Sequence, residues 1–111
     1  MSTIEAKTDW IYSRLADDPD LSELVELFVE EIPERIEALE EIANNRDLAA
    51  MRVAAHQLKG ALGSYGFDDL GKVAAALELE AKAATTFEQI ESPLRALTQG
   101  MNRVRAGTVA G

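Results

Sequence analysis

The sequence predicts an all-α fold, an up-down-up-down antiparallel four-helix bundle with a short extra N-terminal helix. Apolar residues recur at intervals of three and four and nowhere alternate strictly over a useful length, which favours helices over strands. Short links rich in Asp, Asn, Thr and Gly separate these segments. The chain has 111 residues, 47% of them hydrophobic, which suits a single domain spanning residues 1–111 with one core.

The first two helices are predicted before residue 45. A short one starts from about Asp9, a plausible N-cap, and stops before the turn-forming Asp17-Asp18-Pro19-Asp20. A long one follows, with Asp20 and Glu23 in the pattern of a capping box. Its inward stripe is Leu21, Leu24, Val25, Phe28, Ile32, Ile36, Leu39 and Ala43. Pro33 keeps the period of that stripe, so we expect a kink there, with a break as the alternative.

The third and fourth helices are predicted on either side of Gly66. Asn44-Asn45-Arg46-Asp47 opens the third, which ends at Gly66, a residue suited to a left-handed C-cap. Its inward residues are Leu48, Met51, Ala55, Leu58 and Leu62. Asp68 or Asp69 can cap the fourth helix. The inward residues of that helix are Leu70, Val73, Ala74, Leu77, Ala81 and Ala84.

The last helix is predicted after a joint at Thr85-Thr86. It carries an apolar stripe of Ile90, Leu94, Leu97, Met101 and Val104. Ser92-Pro93 offers either an internal start or a kink. We expect residues 1–7 and 107–111 to be frayed.

Composition excludes several classes of function. The net charge of −9 repels polyphosphate, so neither nucleic acid nor an anionic membrane surface is an expected partner. The acidic residues of the second helix fit a solvated face. There is no cysteine, no apolar run long enough to span a membrane, and no secretory signal pattern at the start. These features favour the cytoplasm.

His56, the only histidine, is predicted to face water from the middle of the third helix. At 100° of rotation per residue, the residues within about 60° of it are Arg52, Lys59, Gly60 and Gly63. The apolar residues of the helix lie on the far side. The outer ring nitrogen is therefore left open to a large partner.

Three roles for His56 can be compared on chemistry. A metal site is disfavoured because there is no second histidine, no cysteine, and Val53 stands where Glu-x-x-His needs a glutamate. A base for Ser64 is disfavoured because two helical turns separate them by about 12 Å. A nucleophile that carries a phosphoryl group remains, since phosphoramidates pass that group onward. The alternative is a helical interaction module in which the histidine is incidental.

The neighbours of His56 suit an incoming phosphoryl group. Gly60 and Gly63 clear the approach to the ring, although they could instead permit a close helix crossing. Each glycine lowers the stability of a helix by about 1 kcal/mol relative to alanine, so we expect a role that offsets this loss. Lys59 and Arg52, one turn to either side, can supply cations to the phosphoryl oxygens.

The sequence resembles the histidine-containing phosphotransfer (HPt) domains of multistep two-component signalling. The motif is His56-Gln57-Leu58-Lys59-Gly60, and the likeness covers roughly residues 20 to 84. Further matching positions are Phe28 to Ile36, Ala54-Ala55, Gly66, Leu70 and Leu77-Glu78. The spacing of these positions across two helices is more specific than the motif alone.

The resemblance implies a function and roles for individual residues. His56 would accept a phosphoryl group from the aspartyl phosphate of one receiver domain and pass it to another. Glu78 would hold Nδ1 of the imidazole, Lys59 would stabilise charge, and Lys82 could contact the phosphoryl group. A surface ion pair between Glu78 and Lys82 is the alternative. Docking would use Ala49, Val53 and Gly60.

The resemblance also implies the partners. These are receiver domains of response regulators or hybrid histidine kinases, which would bring Mg²⁺, so the chain itself would need no metal or other cofactor. It would be a monomeric phosphocarrier without kinase activity of its own. A domain phosphorylated by an ATP-binding kinase domain, as in chemotaxis kinases, is the alternative.

Overall fold

The computed structural model describes residues 10–107, and the regular secondary structure in this range is helical, as predicted. The helices are α1 (Ser22–Asn44), α2 (Leu48–Ser64), α3 (Asp68–Ala83), a short 3₁₀ helix (Phe87–Ile90) and α4 (Glu91–Asn102). Residues 10–107 contain no strand, only an isolated parallel bridge between Ile11 and Val104. The prediction of an all-α fold is confirmed, while the up-down-up-down order stays a prediction. The predicted frayed ends, apart from Gly107, lie outside the described residues.

One apolar core joins the helices. Its largest fully buried side chains are Phe67, Leu39, Met51, Leu62, Leu77, Ile90, Leu97, Met101 and Val25. Leu24, predicted to face inward, is instead 47% exposed. The reason is that the rest of the fold covers only a narrow stripe of α1, on which Val25 and Phe28 lie and from which Leu24 is rotated away.

The prediction of an extra N-terminal helix is wrong for the described part of its range, since residues 10–21 form turns and extended chain. The Ile11 N–H donates to the Arg103 carbonyl (2.8 Å), and the Ile11 carbonyl accepts from the Arg105 N–H (2.9 Å). The Arg105 guanidinium also lies 3.8 Å from the centroid of the Trp10 ring. Because backbone groups here bond to the end of the chain, they cannot form local helical hydrogen bonds. The proposed cap, Asp9, lies outside the described residues.

The start of α1 also differs from the prediction. Leu21 is the N-cap residue and no side chain caps the helix, so Asp20 and Glu23 do not form a capping box. Asp18 organises this turn instead: its carbonyl accepts from the Ser22 N–H and its carboxylate accepts from the Asp20 N–H. Pro33 lies inside a continuous α1, so the predicted alternative of a break is wrong.

The later helices begin closer to the cap residues that the sequence predicted. The Asp47 side chain caps α2 by accepting from the Ala50 N–H. Phe67, rather than Asp68 or Asp69, is the N-cap residue of α3, because the buried Phe67 ring fixes the chain there. The two aspartates lie in the first turn, where negative charge complements the helix dipole.

The final helix starts after the 3₁₀ helix. Thr86 and Gln89 form a capping box for that short helix. Pro93 lies in the first turn of α4, so Ser92-Pro93 marks a start and not an internal kink. Val104 is buried as predicted, but it lies beyond the end of α4.

Gly66 lies in a turn that only glycine fits. Its φ is +84°, and an added Cβ would overlap Ser13 Oγ and lie 3.0 Å from Leu15 Cγ. The Ser13 hydroxyl donates to the Tyr65 carbonyl (2.6 Å) and holds the N-terminal segment against this turn. The α2–α3 connection is therefore both left-handed and enclosed.

We expect Gly66→Ala to lower the free energy of unfolding by about 2–4 kcal/mol, because backbone strain and overpacking add. Gly107→Ala is the matched control, since Gly107 also has a positive φ (+91°) but open space around it. It should cost no more than about 1–2 kcal/mol. Urea denaturation measures both, and equal losses would contradict the enclosure of Gly66.

Candidate functional site

His56 projects from the middle of α2 into solvent. Its side chain is 65% exposed, whereas Met51, Ala55 and Leu58 on the opposite side of the helix are buried. The described residues form no hydrogen bond to the outer ring nitrogen, Nε2. A reagent can therefore approach Nε2 from solvent.

Glu78 on α3 contacts the inner ring nitrogen. Nδ1 of His56 lies 2.9 Å from Glu78 Oε2. Gly71 allows this proximity, because α3 approaches α2 so closely there that an added Cβ would lie 3.6 Å from the Gly63 nitrogen. Seven residues separate Gly63 from His56 and Gly71 from Glu78, so the same close crossing brings the two side chains together.

Lys59 binds the other oxygen of the same carboxylate. Its Nζ lies 3.0 Å from Glu78 Oε1. This hydrogen bond is the main cause that lowers the pKa of Glu78 below its ordinary value of 4.5, partial burial opposes the shift, and the hydrogen bond with His56 adds to it. Glu78 is therefore ionised at neutral pH, with both of its oxygens engaged.

The ionised carboxylate fixes the tautomer of the imidazole. A carboxylate without a proton can only accept, so the hydrogen of the neutral ring lies on Nδ1 and is donated to Glu78. The lone pair of the neutral ring then lies on Nε2, the nitrogen that faces solvent. The contact thus leaves the exposed nitrogen as the nucleophilic one.

The other predicted site residues surround the imidazole. Arg52 and Val53 line a surface cavity of about 320 Å³ together with His56, Gln57 and Glu78. Val53 is 51% exposed. Ala49, one turn before Val53 on α2, is exposed as well.

Lys82 is exposed on α3, four residues after Glu78. Within residues 10–107, the ion pair of Glu78 is with Lys59 and not with Lys82. The alternative of a surface pair between Glu78 and Lys82 is therefore wrong. The Lys59–Glu78 pair itself was not predicted, because its geometry depends on how α3 is placed against α2.

Gly60 and Gly63 have open space where a side chain would be. An added Cβ at either position meets no atom within 4 Å. The close contact between α2 and α3 is made by Gly71, which faces the α2 backbone. Packing within the described residues therefore does not explain why Gly60 and Gly63 lack side chains.

We expect Gly60→Ala and Gly63→Ala each to raise the free energy of unfolding by about 0.5–1 kcal/mol, the helix preference of alanine over glycine. Gly100→Ala is the contrasting variant, because its Cβ would overlap Leu70 Cδ2 and should destabilise the fold. Urea denaturation gives all three values. A loss of stability at Gly60 or Gly63 would show that packing requires the glycine.

The described residues hold no cluster of three or more His, Cys, Asp or Glu side chains placed to bind a metal ion. Among the described helices, none combines the length and the apolar character needed to cross a membrane.

Comparison with known families assigns the chain. The model of the family described as Hpt domain matches residues 23–107, a range that includes His56, Lys59 and Glu78. Comparisons with curated proteins and with solved structures gave no match. The family match covers well over half of the 111 residues. The chain therefore belongs to the Hpt domain family.

Proposed function

We propose that this Hpt domain shuttles a phosphoryl group between receiver domains, taking it on His56 from one aspartyl phosphate and giving it to a second aspartate. Hpt domains act in histidine phosphotransfer in two-component signalling and interact with receiver domains. They are phosphocarriers and not, in general, enzymes. The observation that carries the proposal is the exposed Nε2 of an imidazole whose Nδ1 contacts Glu78.

The transfer forms one bond and breaks one bond. The Nε2 lone pair attacks the phosphorus, the bond from phosphorus to the aspartyl oxygen breaks, and the carboxylate leaves with that electron pair. The ring keeps its Nδ1 proton and becomes cationic, and the contact with Glu78 supports this charge. Release to the next aspartate is the same step in reverse, so the shuttle is reversible.

The remaining site residues leave room for the receiver or supply positive charge to the phosphoryl group. Gly60 and Gly63 leave room for the receiver, while Ala49 and Val53 supply small or apolar surface against its loops. Lys59 is the charge-stabilising cation, and Arg52 and Lys82 are further cations near the transferred group.

The receiver would supply Mg²⁺, so the domain needs no cofactor of its own. An exposed single site of this kind can work as a monomer, and we place the shuttle in the cytoplasm.

The source of the phosphoryl group is tested directly by two incubations. One contains the domain with a phosphorylated receiver, and the other contains the domain with ATP and a histidine-kinase core. The proposal expects rapid uptake from the receiver. Uptake from the kinase core alone would contradict the shuttle and favour a domain phosphorylated by a kinase.

We expect uptake from a phosphorylated receiver to fall as the pH is lowered from 8 to 5, because the neutral imidazole is the nucleophile. The protonated ring has no Nε2 lone pair. Glu78 has a lowered pKa, so it stays ionised through this range and loses its contacts only below pH 4.5. Initial rates from pH 8 to 5, with circular dichroism as the folding control, test this, and a flat profile would contradict it.

A further inference from the structure

We infer that Lys59 exchanges partners during phosphoryl transfer, binding Glu78 when His56 is free and the phosphoryl group when His56 carries one. The inference rests on the proposed function and deepens it. It assigns Lys59 two successive contacts, of which the ion pair with Glu78 is the first.

The geometry puts one ammonium between two anions. Lys59 and His56 are three residues apart on α2, so their side chains lie on adjacent turns of one face. Lys59 is already held by Glu78 Oε1 at 3.0 Å, and its side chain is 42% exposed. A phosphoryl group on Nε2 would appear within reach of this long, flexible side chain without movement of either helix.

Charge favours the exchange. Glu78 carries a single negative charge that is already shared with His56, whereas a phosphoryl group carries nearly two. At equal distance the phosphoryl group attracts an ammonium about twice as strongly. Since the contact between Lys59 and Glu78 is partly exposed to solvent, it exchanges at modest cost.

The exchange would adapt Glu78 to each half of the reaction. In the free state, Lys59 neutralises part of the charge on Glu78 while the carboxylate orients the ring. In the phosphorylated state, Glu78 regains its full charge just when the ring becomes cationic. The exchange thereby stabilises the cationic ring in the phosphorylated state.

The charged groups around the ring are few. On α2, Arg52 lines the same cavity as the ring and Lys59 binds Glu78. On α3, Glu78 contacts the ring, and Lys82 is exposed four residues after it. Within residues 10–107, neither α1 nor α4 contributes a charged group to the hydrogen bonds or ion pairs of the ring.

The release of Glu78 by Lys59 can be observed by NMR. The probe is phosphoramidate, whose P–N bond breaks and releases ammonia as His56 is phosphorylated, so no receiver is needed. We expect the cross-peak between Lys59 Hε and Glu78 Hγ to be present in the free domain and lost on phosphorylation. The cross-peak between the His56 ring and Glu78 should persist in both states. A Lys59–Glu78 cross-peak that survives phosphorylation would overturn the exchange.

The capture of the phosphoryl group is observed by ³¹P NMR. Lys59→Met should move the phosphohistidine resonance and shorten the lifetime of the phosphorylated domain several-fold, whereas Lys59→Arg should restore much of both. Lys72→Met is the matched control, because it removes an exposed cation from α3 six residues before Glu78, where no role in the site is assigned. A phosphorus resonance that is insensitive to Lys59→Met would also overturn the exchange.

The two proposals fail separately. Uptake from phosphoramidate without uptake from any receiver would overturn the shuttle, while the exchange is still tested by its cross-peaks. Normal uptake from receivers with an unchanged Lys59–Glu78 contact would overturn only the exchange. If neither phosphoramidate nor any phosphorylated receiver modifies His56, both proposals are contradicted.

Discussion

His56→Gln should abolish phosphoryl uptake and leave the fold intact. Glutamine has no ring nitrogen with a free lone pair, so no phosphoramidate can form at this position. The side chain is 65% exposed and its described hydrogen-bond partner is Glu78, so the free energy of unfolding should change by no more than about 0.5 kcal/mol. Labelling with a phosphorylated receiver and urea denaturation measure the two effects.

Gln57→Ala is the matched control for this variant. Gln57 is the adjacent exposed residue on α2 and lines the same cavity, but it is not placed to react. It should retain uptake close to that of the wild type. Uptake by His56→Gln would show that another residue carries the phosphoryl group, and equal loss in Gln57→Ala would point to a disturbed surface.

Glu78→Ala should slow uptake about tenfold to hundredfold, the kinetic equivalent of losing a hydrogen bond to a charged group. Without Glu78, either ring nitrogen can hold the proton and the ring can rotate, so fewer molecules present an Nε2 lone pair. Rapid-quench measurement of the transfer from a phosphorylated receiver gives the rate.

Two further variants of α3 sharpen this test. Glu78→Gln keeps an oxygen that can accept from Nδ1–H but has no negative charge for Lys59, so its rate should lie between those of the wild type and Glu78→Ala. Glu80→Ala removes an exposed carboxylate from the same helix and should have little effect. A normal rate in Glu78→Ala would show that the contact with His56 does not assist transfer.

The periodicity of the sequence predicted much of the fold because each helix buries one stripe. Met51, Ala55, Leu58 and Leu62 are buried as that pattern requires. The N-terminal segment was mispredicted because local signals at residues 9–16 compete with hydrogen bonds to the distant Arg103 and Arg105. Such pairings depend on where the end of the chain passes, which the local pattern does not encode.

The site residues also divide into those that the sequence predicted and those that depend on how the helices pack. The exposure of His56 followed from the geometry of a single helix, and the place of Glu78 followed from family resemblance. The Lys59–Glu78 pair was missed because it depends on the close crossing at Gly71, which sets how α3 lies against α2. Sequence spacing made Lys82 the alternative partner of Glu78, since the two are four residues apart on one helix.

The most direct test of the account is the intact mass of the domain after mixing with a panel of phosphorylated receivers. We predict the addition of one phosphate, located on His56, lost in acid and stable in base, as expected for phosphohistidine. Phosphoryl transfer through His56 is contradicted if no receiver adds a phosphate, or if the added phosphate is stable in acid and lies on another residue.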